Sequence, residues 1–118
     1  MVGSSPTERN ERDRVYKAIG YWTWPEDLEA FEQHYKTVHV PLAAALPGVK
    51  HLSTFKADEA SRDGGFYRVA EVGWEDESAF KEAMESEAWS AMAADAAGMM
   101  ERFGAELHSA MGWDDTPS

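Results

Sequence analysis

No cysteine occurs among the 118 residues, which removes disulfides, thiolate nucleophiles and cysteine-held metals and leaves the redox compartment open. Positive charge is scarce: 11 Lys and Arg stand against 22 Asp and Glu, a formal charge of -11. The summed field repels phosphate backbones and anionic membrane surfaces, so neither a nucleic-acid nor a membrane partner is expected. No apolar run approaches the ~20 residues of a membrane helix, and MVGSSPTERNERDR lacks the apolar centre of a signal peptide. A cytoplasmic protein is the resulting expectation. There is no glycine-rich phosphate cradle, Gly64 and Gly65 lying in a turn without GxGxxG spacing, and no Ser/His/Asp signature. No cofactor is expected. What the chain does have is bulk for a core: 43% apolar residues, with five Trp, four Tyr and six Met. The length suits one domain.

Residues 1–14 are polar, of mixed charge and without period, and read as a disordered arm; residues 114–118, DDTPS, read as a disordered tail. Between them, VYKAIGYW (15–22) is β-branched and aromatic, as a strand requires. Asp27 can cap a helix whose stripe runs Leu28, Phe31, Tyr35, Val38 and Leu42 and which LPGV closes. Strands follow at 49–57 and 65–74 around the turn cluster DEASRDGG. Asp76 can cap the next helical stretch, one helix or two joined near Ser86, which Gly104 ends before a last strand at 105–113. The order β-α-β-β-α-β predicts an α+β, ferredoxin-like fold: a four-stranded antiparallel sheet with both helices on one face. The strands lack a clean polar face, so the second face is expected to be covered by another copy of the chain. The expected assembly is a homodimer enclosing a barrel.

Chemistry-bearing residues are few. His34 and His39 flank the helical stripe on opposite sides at ~100° per residue, so their rings are expected to point apart, and the five-residue spacing does not support a zinc helix of the HExxH kind. No metal site is expected. Pro41 cannot donate to the carbonyl of Thr37, which predicts a kink or break near residues 37–40. A ring at such a break can project into a pocket, which favours His39; His34 reads more simply as structural. In the third strand Trp74, Val72 and Ala70 suit the helix side, which puts Glu71, Val69 and Tyr67 on the barrel side. There Glu71 is either a buried acid or base or the partner of Lys17 or Arg68. His51 and His108 are candidates for the same face. Trp22, Tyr35, Tyr67, Trp74 and Trp89 exceed the needs of a small core, and some can shape a pocket for a flat or apolar ligand. Met84, Met92, Met99 and Met100 read as helix packing.

The segment from Trp24 to Val49, WPEDLEAFEQHYKTVHVPLAAALPGV, resembles the signature helix of the EthD family, with AFxxHYxxxHxPLxxxLPGV its specific part. RVAEVGWEDESAFKEAMESEAW and DAAGMMERF resemble the second half of that family, so the resemblance covers residues 15–113. It implies membership of the dimeric α/β barrel superfamily, whose members include cofactor-independent monooxygenases, polyketide and other cyclases, a muconolactone methylisomerase and haem-degrading enzymes. They share a pocket more than a chemistry. Carried onto this chain, the resemblance marks His39 of HxP, His34 and Tyr35 of HY, Glu71 of AEVGW, and His51, whose counterpart follows the PG turn in methylisomerase-like relatives. The Asn and Trp arrangement of the haem-degrading members is not recognisable, nor are the paired cysteines of some isomerases.

The leading expectation is therefore a cofactor-independent isomerase, cyclase or monooxygenase acting on a small hydrophobic or aromatic metabolite. His39 would be the general acid or base, with Glu71 or His51 as its partner, and His34, Tyr35, Trp22, Tyr67, Trp89 and His108 would line the ligand site. The alternatives are a non-catalytic binding or accessory protein and a dimer whose barrel is filled by its own side chains.

Overall fold

A computed structural model describes residues 14–117. The expected N-terminal arm, apart from Arg14, lies outside the described residues, as does Ser118. Four strands, β1 (Tyr16–Thr23), β2 (Val49–Lys56), β3 (Phe66–Trp74) and β4 (Leu107–Trp113), form one antiparallel sheet in the order β2-β3-β1-β4. This is the ferredoxin-like arrangement read from the element order. Beyond β4, the Asp114 amide donates to the Val15 carbonyl at 2.8 Å and its carboxylate lies 3.2 Å from Lys17 Nζ.

The helices start where side chains satisfy otherwise unpaired amides. Asp27 accepts from Ala30 N–H at the head of α1 (Leu28–His34), and Asp76 accepts from Ala79 N–H at the head of α3 (Glu77–Met84). Ser86 accepts from Trp89 N–H and so opens a separate helix, α4 (Glu87–Phe103), which resolves the expectation of one helix or two. Gly104, at φ 66°, ends α4, and a Cβ there would sit 2.6 Å from the Glu26 carboxylate carbon.

The α1 helix does not break at Pro41. It passes through a π-helical turn, Tyr35–His39, and continues as α2 (Val40–Ala44). The Val40 amide donates to the Tyr35 carbonyl, five residues back. Two local features favour this: Pro41 has no amide to offer, and the Thr37 hydroxyl donates back to the Gln33 carbonyl at 2.6 Å, a bond that bends helices. The π turn takes up one extra residue and shifts every later side chain around the axis. The buried positions accordingly run Phe31, Tyr35, His39, Ala43, whereas Val38, expected on the stripe, is exposed.

All helices pack on one face of the sheet. Trp22, Phe31, Tyr35, Met99 and Phe103 form one core cluster, and Leu46, Val72, Trp74, Phe80 and Ala83 a second. Arg68, at the start of β3, is held by Glu32 of α1 through two bonds of 2.9 and 2.6 Å and lies over the Tyr35 ring. Among the described residues of the single chain nothing covers the opposite face of the sheet, and Phe55 is 60% exposed there.

Candidate functional site

A cavity of about 310 Å³ separates the sheet from α2 and α4. It exists because the residues that meet across this gap are small: Ala18, Gly20, Ala70 and Ser109 on the strands face Ala43, Ala93 and Ala96 on the helices. Trp22, Trp74 and Trp89 wall it, with Leu52, Met92 and Met100. Its volume falls at the lower end of ligand sites. An apolar cavity of about 150 Å³ takes one benzene, so this one suits about two rings. Among the described residues, no Lys, Arg, Asp or Glu lines it.

His39 is the titratable imidazole in that wall. Its Nδ1 lies 2.9 Å from Oδ2 of Asp95 on α4, and the other oxygen of the same carboxylate lies 2.8 Å from His34 Nε2. The expected divergence of the two rings is thus overturned. In a regular α-helix residues five apart differ by about 140° around the axis, and the intervening π turn brings them onto one carboxylate instead. A carboxylate only accepts, so each ring nitrogen facing Asp95 carries a proton. For His39 this leaves Nε2 as the acceptor available to a molecule in the cavity. Burial pushes the His39 imidazole below its ordinary value, Asp95 opposes that shift and the nearby His34 adds to it. The neutral ring, an acceptor at Nε2, is therefore the form favoured near neutrality. The Tyr35 ring stacks against His39 at 6.0 Å between centroids, and its hydroxyl bonds Thr54 Oγ1 at 2.8 Å; Trp22 meets His39 edge-on.

The other candidates divide by face. Trp22, Tyr35 and Trp89 border the cavity, whereas His34 stands behind Asp95 on an outer groove with Gln33, Thr37 and Arg102. Glu71 and His51 meet each other, Nε2 to Oε2 3.1 Å, together with Lys17 at 3.4 Å, on the sheet face away from the helices. They are not brought together with His39. His108 is exposed beside Glu106, 3.1 Å away. Tyr67, expected beside Glu71, packs instead against Phe31 and Trp24. The cause is the register shift at Trp22/Thr23, where β1 passes from Arg68 to Phe66 as partner and the strict alternation of faces is lost. The cavity itself lies on the helix side, not on the face expected to line a barrel.

Sequence reasoning missed Asp95, although it leaves a signal. Asp95 is the only charged residue between Ala88 and Met100, and it stands three after Met92 and four before Met99, on the stripe that α4 buries. Among the described residues no group of three or more His, Cys, Asp and Glu is arranged to hold a metal ion.

The chain is an α+β, ferredoxin-like protein with a buried histidine in the wall of an apolar cavity, held from behind by a half-buried carboxylate. The family model for the EthD domain matches residues 25–102, and the chain belongs to that family. It is 33% identical over 86 residues to an uncharacterised 11.0 kDa protein of the thcB-thcC intergenic region in Rhodococcus erythropolis, covering 70% of this chain and 82% of that one. Among solved structures it is similar to an ethyl tert-butyl ether D (EthD) family protein of Bacillus halodurans, at 25% identity and a TM-score of 0.64, covering 81% of this chain and 96% of that one. SnoaB, a cofactor-independent oxygenase of Streptomyces nogalater, shares the fold at 15% identity and a TM-score of 0.58, with 88% and 96% covered. So does a dimeric ferredoxin-like protein of Thermobifida fusca, at 14% identity and a TM-score of 0.65, with 91% and 97% covered. No helix among the described residues is long and apolar enough to cross a membrane.

Proposed function

We propose that this EthD-family protein binds a small, uncharged, apolar or aromatic molecule in the cavity and removes a weakly acidic proton from it. His39 is the general base and Asp95 its orienting partner. The observation that carries this is the 2.9 Å bond from His39 Nδ1 to Asp95 in the wall of an otherwise apolar cavity. The bond fixes which nitrogen is free, and burial favours the neutral ring that a base needs. The proton moves from a substrate C–H or O–H to Nε2, giving an enolate or phenolate beside an imidazolium that the Asp95 carboxylate compensates. From that anion isomerisation, cyclisation or reaction with oxygen can follow without a cofactor. An anionic substrate would lose its water in a cavity where the described residues offer no cation to replace it, which argues for a neutral one.

Asp95 takes the partner role expected of Glu71 or His51. Those two residues belong, in this reading, to a homodimer formed through the uncovered sheet face, which exposes Phe55 and Phe66. The dimeric description of the similar Thermobifida fusca protein supports that assembly.

A neutral bicyclic carbon acid tests the reading without knowledge of the natural substrate. In heavy water, wild-type protein should accelerate deuterium uptake at C1 of 2-tetralone, followed by proton NMR, and His39→Phe should lose about 10²–10⁴-fold of that acceleration. Binding of 2-tetralone without exchange would make the protein a carrier rather than a catalyst. 2-Naphthoate, of similar size but anionic, should not compete.

A further inference from the structure

His34 is conspicuous for what it does not touch. Its ring borders the outer groove with Gln33, Thr37 and Arg102 and takes no part in the cavity wall, so no molecule bound there reaches it. Yet it makes a 2.8 Å bond to a carboxylate oxygen that is part-buried, and it does so across 61 residues of sequence. The sharing of that carboxylate with His39 also depends on an uncommon backbone form. Without the π turn Tyr35–His39, His34 and His39 would lie about 140° apart around the helix, on different sides of it rather than together toward α4. Single π turns are rare and are found frequently at functional sites.

We infer that His34 is a positioning residue for the His39 base: by holding Oδ1 of Asp95 it leaves Oδ2 to face His39 Nδ1 and so fixes the His39 tautomer. The proposal rests on the reading of His39 as the base and adds a second layer to it. The torsion that turns a carboxylate plane is broad and roughly two-fold, so a single bond to His39 does not define its orientation. A second donor at Oδ1, 2.8 Å away and anchored on the preceding turn of the same helix, does. The two bonds are made by opposite ring atoms, Nε2 of His34 and Nδ1 of His39, which lets rings of different reach share one carboxylate. The Phe103 ring, 5.9 Å from His34, backs the imidazole on the α4 side. The segment HYKTVHVP then has a common purpose: Thr37 and Pro41 favour the π turn, and the π turn brings two histidines to one acid.

The test reads the imidazole nitrogens of His39 by ¹⁵N NMR in the intact protein. Wild type should show a protonated Nδ1 and an unprotonated Nε2 as distinct resonances at neutral pH. In His34→Phe, which keeps an aromatic ring but no donor, the two should move toward each other as the tautomers mix, and exchange into 2-tetralone should fall about 10²-fold, the cost of ångström-scale misplacement. His34→Gln, whose amide N–H can reach Oδ1, should restore both. An unchanged His39 pattern in His34→Phe overturns the proposal, as does a mixed pattern in His34→Gln. If His34→Phe does not fold, the Gln variant alone decides: a wild-type pattern supports the role of the N–H, a mixed one removes it. If the pattern follows expectation while wild type never exchanges 2-tetralone, the positioning role stands and the reading of His39 as a catalytic base fails.

Discussion

The sheet carries two groups made of the same ingredients, histidine and carboxylate, on its two faces. On the helix side Asp95 is gripped by His34 and His39, and the His39 side chain is 11% exposed. On the other side Glu71 meets His51 and Lys17, with side chains 34%, 48% and 32% exposed. Composition does not separate these groups, but solvent does. Water screens the second group and bonds whatever the protein leaves free, so its members are replaceable. The first has lost most of its water, so each donor depends on one acceptor and the titration of His39 is moved by burial. A histidine beside an acid is therefore a weak sign of chemistry until its face is known.

The largest effect should come from the uncovered face taken as a whole. Phe55→Asp puts a charge where Phe55 is now 60% exposed. A two-fold interface presents it twice, which should weaken a dimer at least about 100-fold, or about 2.7 kcal/mol. Sedimentation equilibrium at micromolar concentration measures it. A wild type that sediments as monomer would remove the dimer altogether. Asp95→Ala should come next. It strips the acceptor from two ring N–H groups, at a cost of about 2 kcal/mol in urea unfolding, and should abolish exchange into 2-tetralone. A stability unchanged within error would mean that water reaches both rings and that the contrast between the faces is false.

Most of the fold was legible because several local signals agree. Asp27 and Asp76 cap where expected, Gly104 stops α4, and Trp74, Val72 and Ala70 turn toward the helices. The site was legible only in part. His39 stands out through Pro41, but a wheel drawn at a constant angle cannot register an extra residue, so it separated His34 from His39 and misassigned Val38. Asp95 was hidden because an apolar stripe marks the buried face of α4 without giving a role to the one acid set into it. The cavity was hidden for a related reason: Ala18, Gly20 and Ala70 fit a buried face equally well whether a helix touches them or a void lies above them. Periodicity reports which side is covered and not how closely.

Acidification should separate the faces more gently. The His39 imidazole has a lowered value in the folded chain, so below about 6.5 the unfolded chain binds a proton that the folded one resists. By linkage, the associated stability is fully present above the unfolded value and is lost as the pH falls through it toward the folded one. The melting temperature of wild type should therefore drop more steeply between pH 7 and pH 5 than that of His39→Phe. Parallel curves would show that burial does not perturb the ring.

The smallest expected effect is Glu71→Gln, and it is informative because it should be small. Measured in the Phe55→Asp background, where no second copy covers the face, the substitution removes the carboxylate charge beside His51 and Lys17 while Lys17 keeps Asp114 at 3.2 Å. Exposed pairs of this kind contribute about 0.2–1 kcal/mol, and added salt should erase the difference. If the wild type pairs through this face as proposed, the same substitution there should cost more, since a second sheet would exclude the water that screens the group. Equal costs in the two backgrounds would mean that Glu71 lies outside the covered area, and a large, salt-insensitive cost in the monomer would mean that this face is already dry on its own.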